Sequence, residues 1–240
     1  MTDTAPVVPA VSVTSRTEAV LDALKHAILT GALPPGRALV ENELATQLGV
    51  SKTPVREALK TLAGAGLVMM SPYKGATVRT VDDALAHSVY DIRLLLEPEA
   101  LRRAVGRAPS GAGDDAHSRW AAAAEALDRA AACADRADRS LANREFHRTL
   151  YLGCGNDLMI GVLDGLRDQT ALVSAVVWDR SPSWEQEAAE HRAILDAALG
   201  GKARRAADLL RAHIAAFVER NFDAPGDRRD DGHDDRETTD

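Results

Sequence analysis

Apolar residues recur at helical spacing over most of this chain. From Thr17 to Thr30, Val20, Leu21, Leu24, Ile28 and Leu29 form one stripe, predicting a first helix closed by Gly31 and the Pro34-Pro35-Gly36 turn. Arg37 to Val40 is a short β-prone piece. Over Glu41 to Leu48, Leu44 and Leu48 lie one turn apart, with Gly49 as the expected C-cap. Ser51 to Ala65 resumes the period with Val55, Ala58, Leu59 and Leu62. Ser51 is its N-cap candidate, and Pro54 falls in the first turn, where a missing N–H removes no intrahelical bond. After Gly64-Ala65-Gly66, Leu67 to Met70 and Ala76 to Val81 read as two strands joined by Ser71-Pro72-Tyr73-Lys74-Gly75.

Helix, short strand, helix, second helix and hairpin form the sequence of a winged helix-turn-helix, whose second helix enters the major groove of DNA. The unburied face of that helix carries Lys52, Thr53, Arg56 and Lys60 beside the unpaired N–H groups of its first turn. Such a face can grip phosphates and read base edges. Taken by itself, the segment would serve equally well as a solvated amphipathic helix.

Beyond Val81 the period stays helical. Asp82-Asp83 opens a helix through Leu96, Pro98 restarts it as far as Gly106, and Arg107 to Gly113 forms a loop. Helices are expected over Asp114–Ala137, Asp138–Leu152, Asp157–Trp178, Ser183–Leu199 and Lys202–Phe222, which together make an antiparallel bundle. Residues 1–16 lack any period and read as a flexible arm. Residues 223–240, with eight Asp and Glu, read as a disordered acidic tail. The fold class is therefore mainly α: a winged helix-turn-helix over 17–81 and an all-α bundle over 82–222.

Composition adds limits. The 240 residues suffice for two modest cores, and 4% aromatics with abundant Ala, Leu and Arg suit helix. Neither an export signal nor an apolar run of membrane-spanning length is visible, so the expected location is the cytoplasm. Cys133 and Cys154 lack CxxC spacing and receive no role. The net charge of -7 is unevenly spread: residues 1–81 hold eight Lys and Arg against six Asp and Glu. So small a basic surplus needs two copies to hold DNA at physiological salt, which implies a dimer.

In the bundle, Asn143 and His147 stand four apart on one helical face, and His191 and His213 lie on later helices. An antiparallel bundle can aim such side chains at one interior point, and imidazole suits zinc, nickel and similar ions. Three separate histidines, each satisfied on its own, would give the same spacing. Arg93 falls on an apolar stripe, where a guanidinium needs a partner: an effector carboxylate, or an internal salt bridge to Glu97 or Glu99. Arg167 is a further candidate for the effector. His26, His87, His117 and His233 fit no constellation.

Residues 17–81 resemble the DNA-binding domain of GntR-type bacterial transcription regulators through Leu33-Pro34-Pro35-Gly36, Glu43-Leu44-Ala45 and the run Leu48-Gly49-Val50-Ser51-Lys52-Thr53-Pro54-Val55-Arg56-Glu57-Ala58-Leu59. The resemblance implies that Ser51, Lys52, Thr53, Pro54 and Arg56 meet the operator, with Lys74 and Gly75 of the wing reaching an adjacent groove. Asn42 and Lys52 stand where arginine is usual, which replaces two guanidinium forks. Residues 82–222 resemble the FCD effector-binding domain of FadR-like regulators through Val89 to Pro98, Asn143-Arg144-Glu145-Phe146-His147 and Glu190-His191 to His213. Likeness to its metal-binding branch implies that Asn143, His147, His191 and His213 hold a divalent cation, zinc before nickel or manganese. It also implies that Arg93 helps bind a small carboxylate.

The function expected is that of a homodimeric repressor on a short palindromic double-stranded operator, released by a small organic acid, with no membrane partner. Two rivals share the histidine cluster. A metal-dependent hydrolytic enzyme would need a general base, and Glu145 and Glu190 are expected to point away from the ligands. A purely structural metal would leave the protein without an effector.

Overall fold

In the computed structural model, residues 16–73, 75–107, 114–133, 136–180 and 184–222 are described. The expectations for the arm, for Lys74 at the wing tip and for the acidic tail lie outside them, except that Arg16 opens the first helix. The N-terminal part runs α1 (Arg16–Leu29), β1 (Ala38–Leu39), α2 (Glu41–Leu48), α3 (Lys52–Gly64), β2 (Val68–Ser71) and β3 (Gly75–Val78). Its sheet is antiparallel in the order β1-β3-β2, with Ala38 opposite Thr77 and Val68 opposite Val78. β1 therefore pins the hairpin to the helical core.

Val55, Ala58, Leu59 and Leu62 of α3 are all buried, against Val20, Leu24 and Ile28 of α1. Each large aliphatic chain buried this way contributes roughly 1.5–3 kcal/mol. Gly49 adopts φ 65° and returns the chain from α2 into α3, donating its N–H to a carbonyl of the last turn. Ser51 has the extended backbone of an N-cap but makes no side-chain capping bond, so its hydroxyl remains available.

The second part comprises α4 (Asp83–Gly106), α5 (Asp114–Ala132), α6 (Arg136–Tyr151), α7 (Asp157–Arg180), α8 (Trp184–Leu199) and α9 (Ala203–Asn221). The Asp82 carboxylate caps α4 by accepting from Leu85 N–H at 2.8 Å. Pro98 does not restart this helix, contrary to expectation: α4 is continuous through it. A proline leaves the carbonyl four residues back without its helical donor. That carbonyl, of Leu94, accepts from Arg211 Nη1 of α9 at 3.4 Å, so a neighbouring helix supplies the missing donor.

α4 packs along α9, α5 against α6, and α8 against α9, around Tyr90, Leu101, Phe146, Ile194, Leu210 and Phe217. Helix α7 joins the two parts. Ala171 and Leu172 of α7 complete the apolar core of the winged helix, and Asp168 pairs with Lys25 of α1 at 2.5 Å. Gly66, at φ 74° in the turn after α3, accommodates the Gln169 side chain: a Cβ there would lie 2.7 Å from it.

Candidate functional sites: the recognition helix and a buried histidine cluster

The outward face of α3 carries Lys52, Thr53, Arg56 and Lys60, all exposed, with Ser51 before them and Pro54 half-buried. Arg56 is not loose in solvent. Its Nε and Nη2 donate to the Glu41 carboxylate at 3.0 and 2.8 Å, spanning from α3 to the start of α2. That hydrogen bond, with the guanidinium charge, holds Glu41 below the usual carboxylate range. The fork is thus held in one orientation on the face that the helix turns outward. Gly75 is exposed at the start of β3 with φ 71°, a conformation that favours glycine at the wing. Asn42 is exposed beside Glu41.

Within the bundle, His147 of α6, His191 of α8 and His213 of α9 converge, with one potential ligand atom from each lying within 4.8 Å of the others. All three are buried. The Nε2 atoms of His191 and His213 are 3.0 Å apart. Asn143 stands one turn before His147, and its Oδ1 is buried without a hydrogen-bond partner.

Carboxylates orient two of the rings. His213 Nδ1 donates to Glu190 Oε2 at 2.6 Å, which leaves Nε2 bare for the cluster interior. His147 Nδ1 lies 3.1 Å from Glu97 Oε2 and 3.2 Å from Arg93 Nη2. The carboxylate is the stronger partner for an N–H, so Nδ1 donates to Glu97 and Nε2 is again left bare. This acid-histidine pairing is how proteins orient metal-ligating imidazoles.

Glu190 therefore departs from expectation: it precedes His191 in sequence but touches His213 across the helix pair. Burial pushes its carboxyl up, yet the bonds from His213 and Arg220 outweigh that and hold it at about 2. It is an orienting anion, not a base. Glu145 accepts from Arg167 Nη2 at 2.7 Å.

Burial lowers the histidines' basicity: His147 is brought down to about 4, and His191 well below its ordinary value. Both are neutral at neutral pH, the form that binds metal. Three buried imidazoles and an unpartnered amide oxygen suit a borderline cation such as zinc, so the residues present fit one.

Arg93 is 4% exposed and donates to Glu97 from Nε at 2.6 Å, and its guanidinium stacks over Tyr90. Beside it lies a small, partly open cavity of about 20 Å³. Arg93, Asn143, Arg144, His147 and Arg167 border it, joined by the hydroxyls of Ser140, Thr170 and Ser174. The structure thus brings Arg93 and Arg167 to one cavity with Asn143 and one histidine of the cluster, His147. Arg144 joins them without having been singled out; its place next to Asn143 was the available signal.

An outward cationic helix on a winged scaffold, joined to a helical bundle with a small cavity, is the architecture of a DNA-binding regulator. Comparison with known proteins makes this specific. Residues 16–78 match the pattern of the bacterial regulatory proteins of the gntR family, and residues 88–216 match that of the FCD domain. The chain belongs to the GntR family of transcription regulators and carries an FCD domain.

It is 31% identical over 199 residues to a protein of Paenarthrobacter nicotinovorans named "Probable D-xylose utilization operon transcriptional repressor", covering 83% of this chain and 85% of that one. It is 26% identical over 201 residues to the HTH-type transcriptional repressor GlaR of Escherichia coli (strain K12), covering 80% and 89%. The crystal structure of a GntR regulator from Rhodococcus sp. RHA1 superposes with a TM-score of 0.76 at 26% identity, covering 88% of this chain and 99% of that one. These are regulators, which sets the hydrolytic reading aside. No helix among the described residues is long and apolar enough to cross a membrane.

Proposed function

We propose that the protein is a cytoplasmic, homodimeric repressor that binds a short palindromic operator and responds to a small organic acid bound at a metal in the FCD domain. In this reading residues 17–81 bind DNA and residues 82–222 bind effector and pair the protomers. The observation that carries it is the buried, unpartnered Oδ1 of Asn143, one helical turn before His147, which is one of three converging imidazoles and lines the same arginine-bordered cavity as Asn143. A lone amide oxygen in such a place costs about 1–3 kcal/mol unless something binds it.

Asn143, His147, His191 and His213 would hold the ion, zinc before nickel or manganese. When bound, the metal supplies a positive centre with coordination positions open to a carboxylate. Arg93 and Arg167, held by Glu97 and Glu145, present guanidinium donors on the cavity wall, and the hydroxyls accept or donate to the rest of the acid. This assigns the protein to the metal-binding branch of its family.

Ser51, Lys52, Thr53, Pro54 and Arg56 form the operator face, with Lys74 and Gly75 at the wing. Exposed apolar residues support pairing: Leu95 of α4 is 72% exposed, and Leu158 of α7 84%. A relative named for D-xylose utilization agrees with a metabolic effector only in kind, so the acid is to be found by titration.

The test is calorimetry of metal-stripped and zinc-restored protein against a panel of small carboxylates, beside gel shifts on the DNA upstream of its own gene. Heat that depends on zinc, together with carboxylate-dependent loss of the shifted band, is the expected result. Zinc binding without any carboxylate heat would instead assign the metal a structural role.

A further inference from the structure

One face of α7 borders the cavity and another is built into the winged helix. Arg167, Thr170 and Ser174 line the cavity. Between them, Asp168 and Gln169 touch α1 and the turn after the recognition helix, and Leu172 lies in the winged-helix core. A wall shared in this way places any change in the cavity one residue from the DNA-binding part.

Asp168 serves both sides. Its Oδ2 pairs with Lys25 Nζ of α1 at 2.5 Å, and its Oδ1 pairs with Arg144 Nη1 of α6 at 2.5 Å. Lys25 is 34% exposed and Arg144 19%. Arg144 borders the cavity, and its Nε is buried with no hydrogen-bond partner. Arg144 therefore stands on the cavity wall with one donor unfilled and shares its principal anion with the winged helix.

We propose that Asp168 is a positioning residue for which the cavity and the winged helix compete. An anion seated against Arg144 weakens the hold of Arg144 on Asp168 and strengthens that of Lys25. Cavity occupancy is thereby expressed as tighter docking of α1 on α7. Two cations around one carboxylate repel each other, so neutralising one favours the other. The differential contact is what a ligand needs in order to shift a two-state equilibrium. This inference rests on the cavity being the effector chamber.

The sign separates competition from ordinary scaffolding. If the two salt bridges merely brace the fold, losing either cation loosens α1. If they compete, losing Arg144 tightens it. Hydrogen exchange of the full chain, followed by mass spectrometry on peptides covering 16–29, reads the docking of α1.

Asp168→Asn is expected to speed exchange there severalfold, Arg144→Gln to slow it severalfold, and Arg144→Lys to leave it unchanged. In the Asp168→Asn background, Arg144→Gln should have no effect on α1. Lys25→Gln supplies the reciprocal arm, slowing exchange in peptides covering 136–151, and remains informative if Arg144→Gln unfolds the bundle. Faster α1 exchange in folded Arg144→Gln, slowing that persists without Asp168, or faster exchange of 136–151 in Lys25→Gln would overturn the proposal. The cavity's role is judged separately: carboxylate heats in calorimetry with the wrong sign of exchange sink the coupling alone, whereas absence of any such heat removes its premise.

Discussion

Substituting Glu97 by glutamine should be among the most damaging single changes in the bundle. The Glu97 carboxylate accepts from Arg93 Nε at 2.6 Å and Nη2 at 3.3 Å, and from His147 Nδ1 at 3.1 Å. Arg93 and Glu97 are each 4% exposed, so bulk water has little access to replace a lost partner. Glutamine preserves the shape but leaves a buried guanidinium facing a neutral amide, and stranding one member of a buried ion pair costs on the order of 3–5 kcal/mol. For a chain of this size that corresponds to a melting temperature lower by roughly 6–20 °C.

Replacing both charges, as in Arg93→Met with Glu97→Leu, removes the stranded charge. The double variant should recover most of the loss, apart from about 1 kcal/mol for the His147 N–H left without its acceptor. Acid titration adds a second measure. Burial raises the Glu97 pKa, but Arg93 and His147 together outweigh it and hold the group below the ordinary carboxylate range. Its contribution is complete above about 4.3 and is lost as pH falls through the lower folded value. Glu97→Gln should therefore flatten the acid limb of stability. Differential scanning calorimetry of metal-stripped protein reads both effects. A Glu97→Gln variant melting within about 1 °C of wild type, or a double variant no more stable than the single, would refute the account.

Three further outcomes are expected. In metal-stripped protein the urea midpoint should fall as pH drops from about 6.5 towards about 4: buried His147 stays neutral to about 4 while the unfolded chain takes up its proton near 6.5. His147→Gln should reduce that slope, and an unchanged slope would show that the ring is not buried in solution. Gly66→Ala should cost about 1–2 kcal/mol in thermal denaturation, since φ 74° opposes a side chain and the new Cβ would meet Gln169 at 2.7 Å. Adding Gln169→Ala should return part of it. Arg56→Ala should weaken binding to the upstream DNA and reduce its dependence on salt, and Glu41→Gln should do so by less because the fork remains but is no longer held. Equal affinity of wild type and Arg56→Ala, measured by fluorescence anisotropy across salt, would remove Arg56 from the operator face.

The winged helix was legible because its signals are local. The α3 stripe, the glycine after α2 and the hairpin each rest on residues close in sequence, and the burial of Val55, Ala58, Leu59 and Leu62 follows from period alone. Pro98 shows where local reasoning stops. The rule that proline breaks a helix concerns an orphaned carbonyl, and whether another group satisfies that carbonyl is decided by tertiary structure. Arg211, 117 positions away from Leu94, supplies the donor, and nothing near Pro98 in sequence announces it.

The histidine cluster divides along the same line. Spacing could place Asn143 and His147 on one helical face, because four residues make about one turn. It could not say which nitrogen of each ring faces inward, because the acids that decide this come from other helices: Glu97 of α4 for His147, and Glu190 of α8 for His213. Chain adjacency misleads here. Neighbours on a helix diverge by about 100° around its axis, so Glu190 and His191 cannot point the same way. Glu190 instead meets His213 on the packed helix α9, and the side chain that looked like a spare acid beside a ligand becomes the group that fixes another ligand's ring. By the same geometry Arg144, adjacent to Asn143, turns towards α7 and finds Asp168, so one turn of α6 serves both the histidine cluster and the contact to the winged helix.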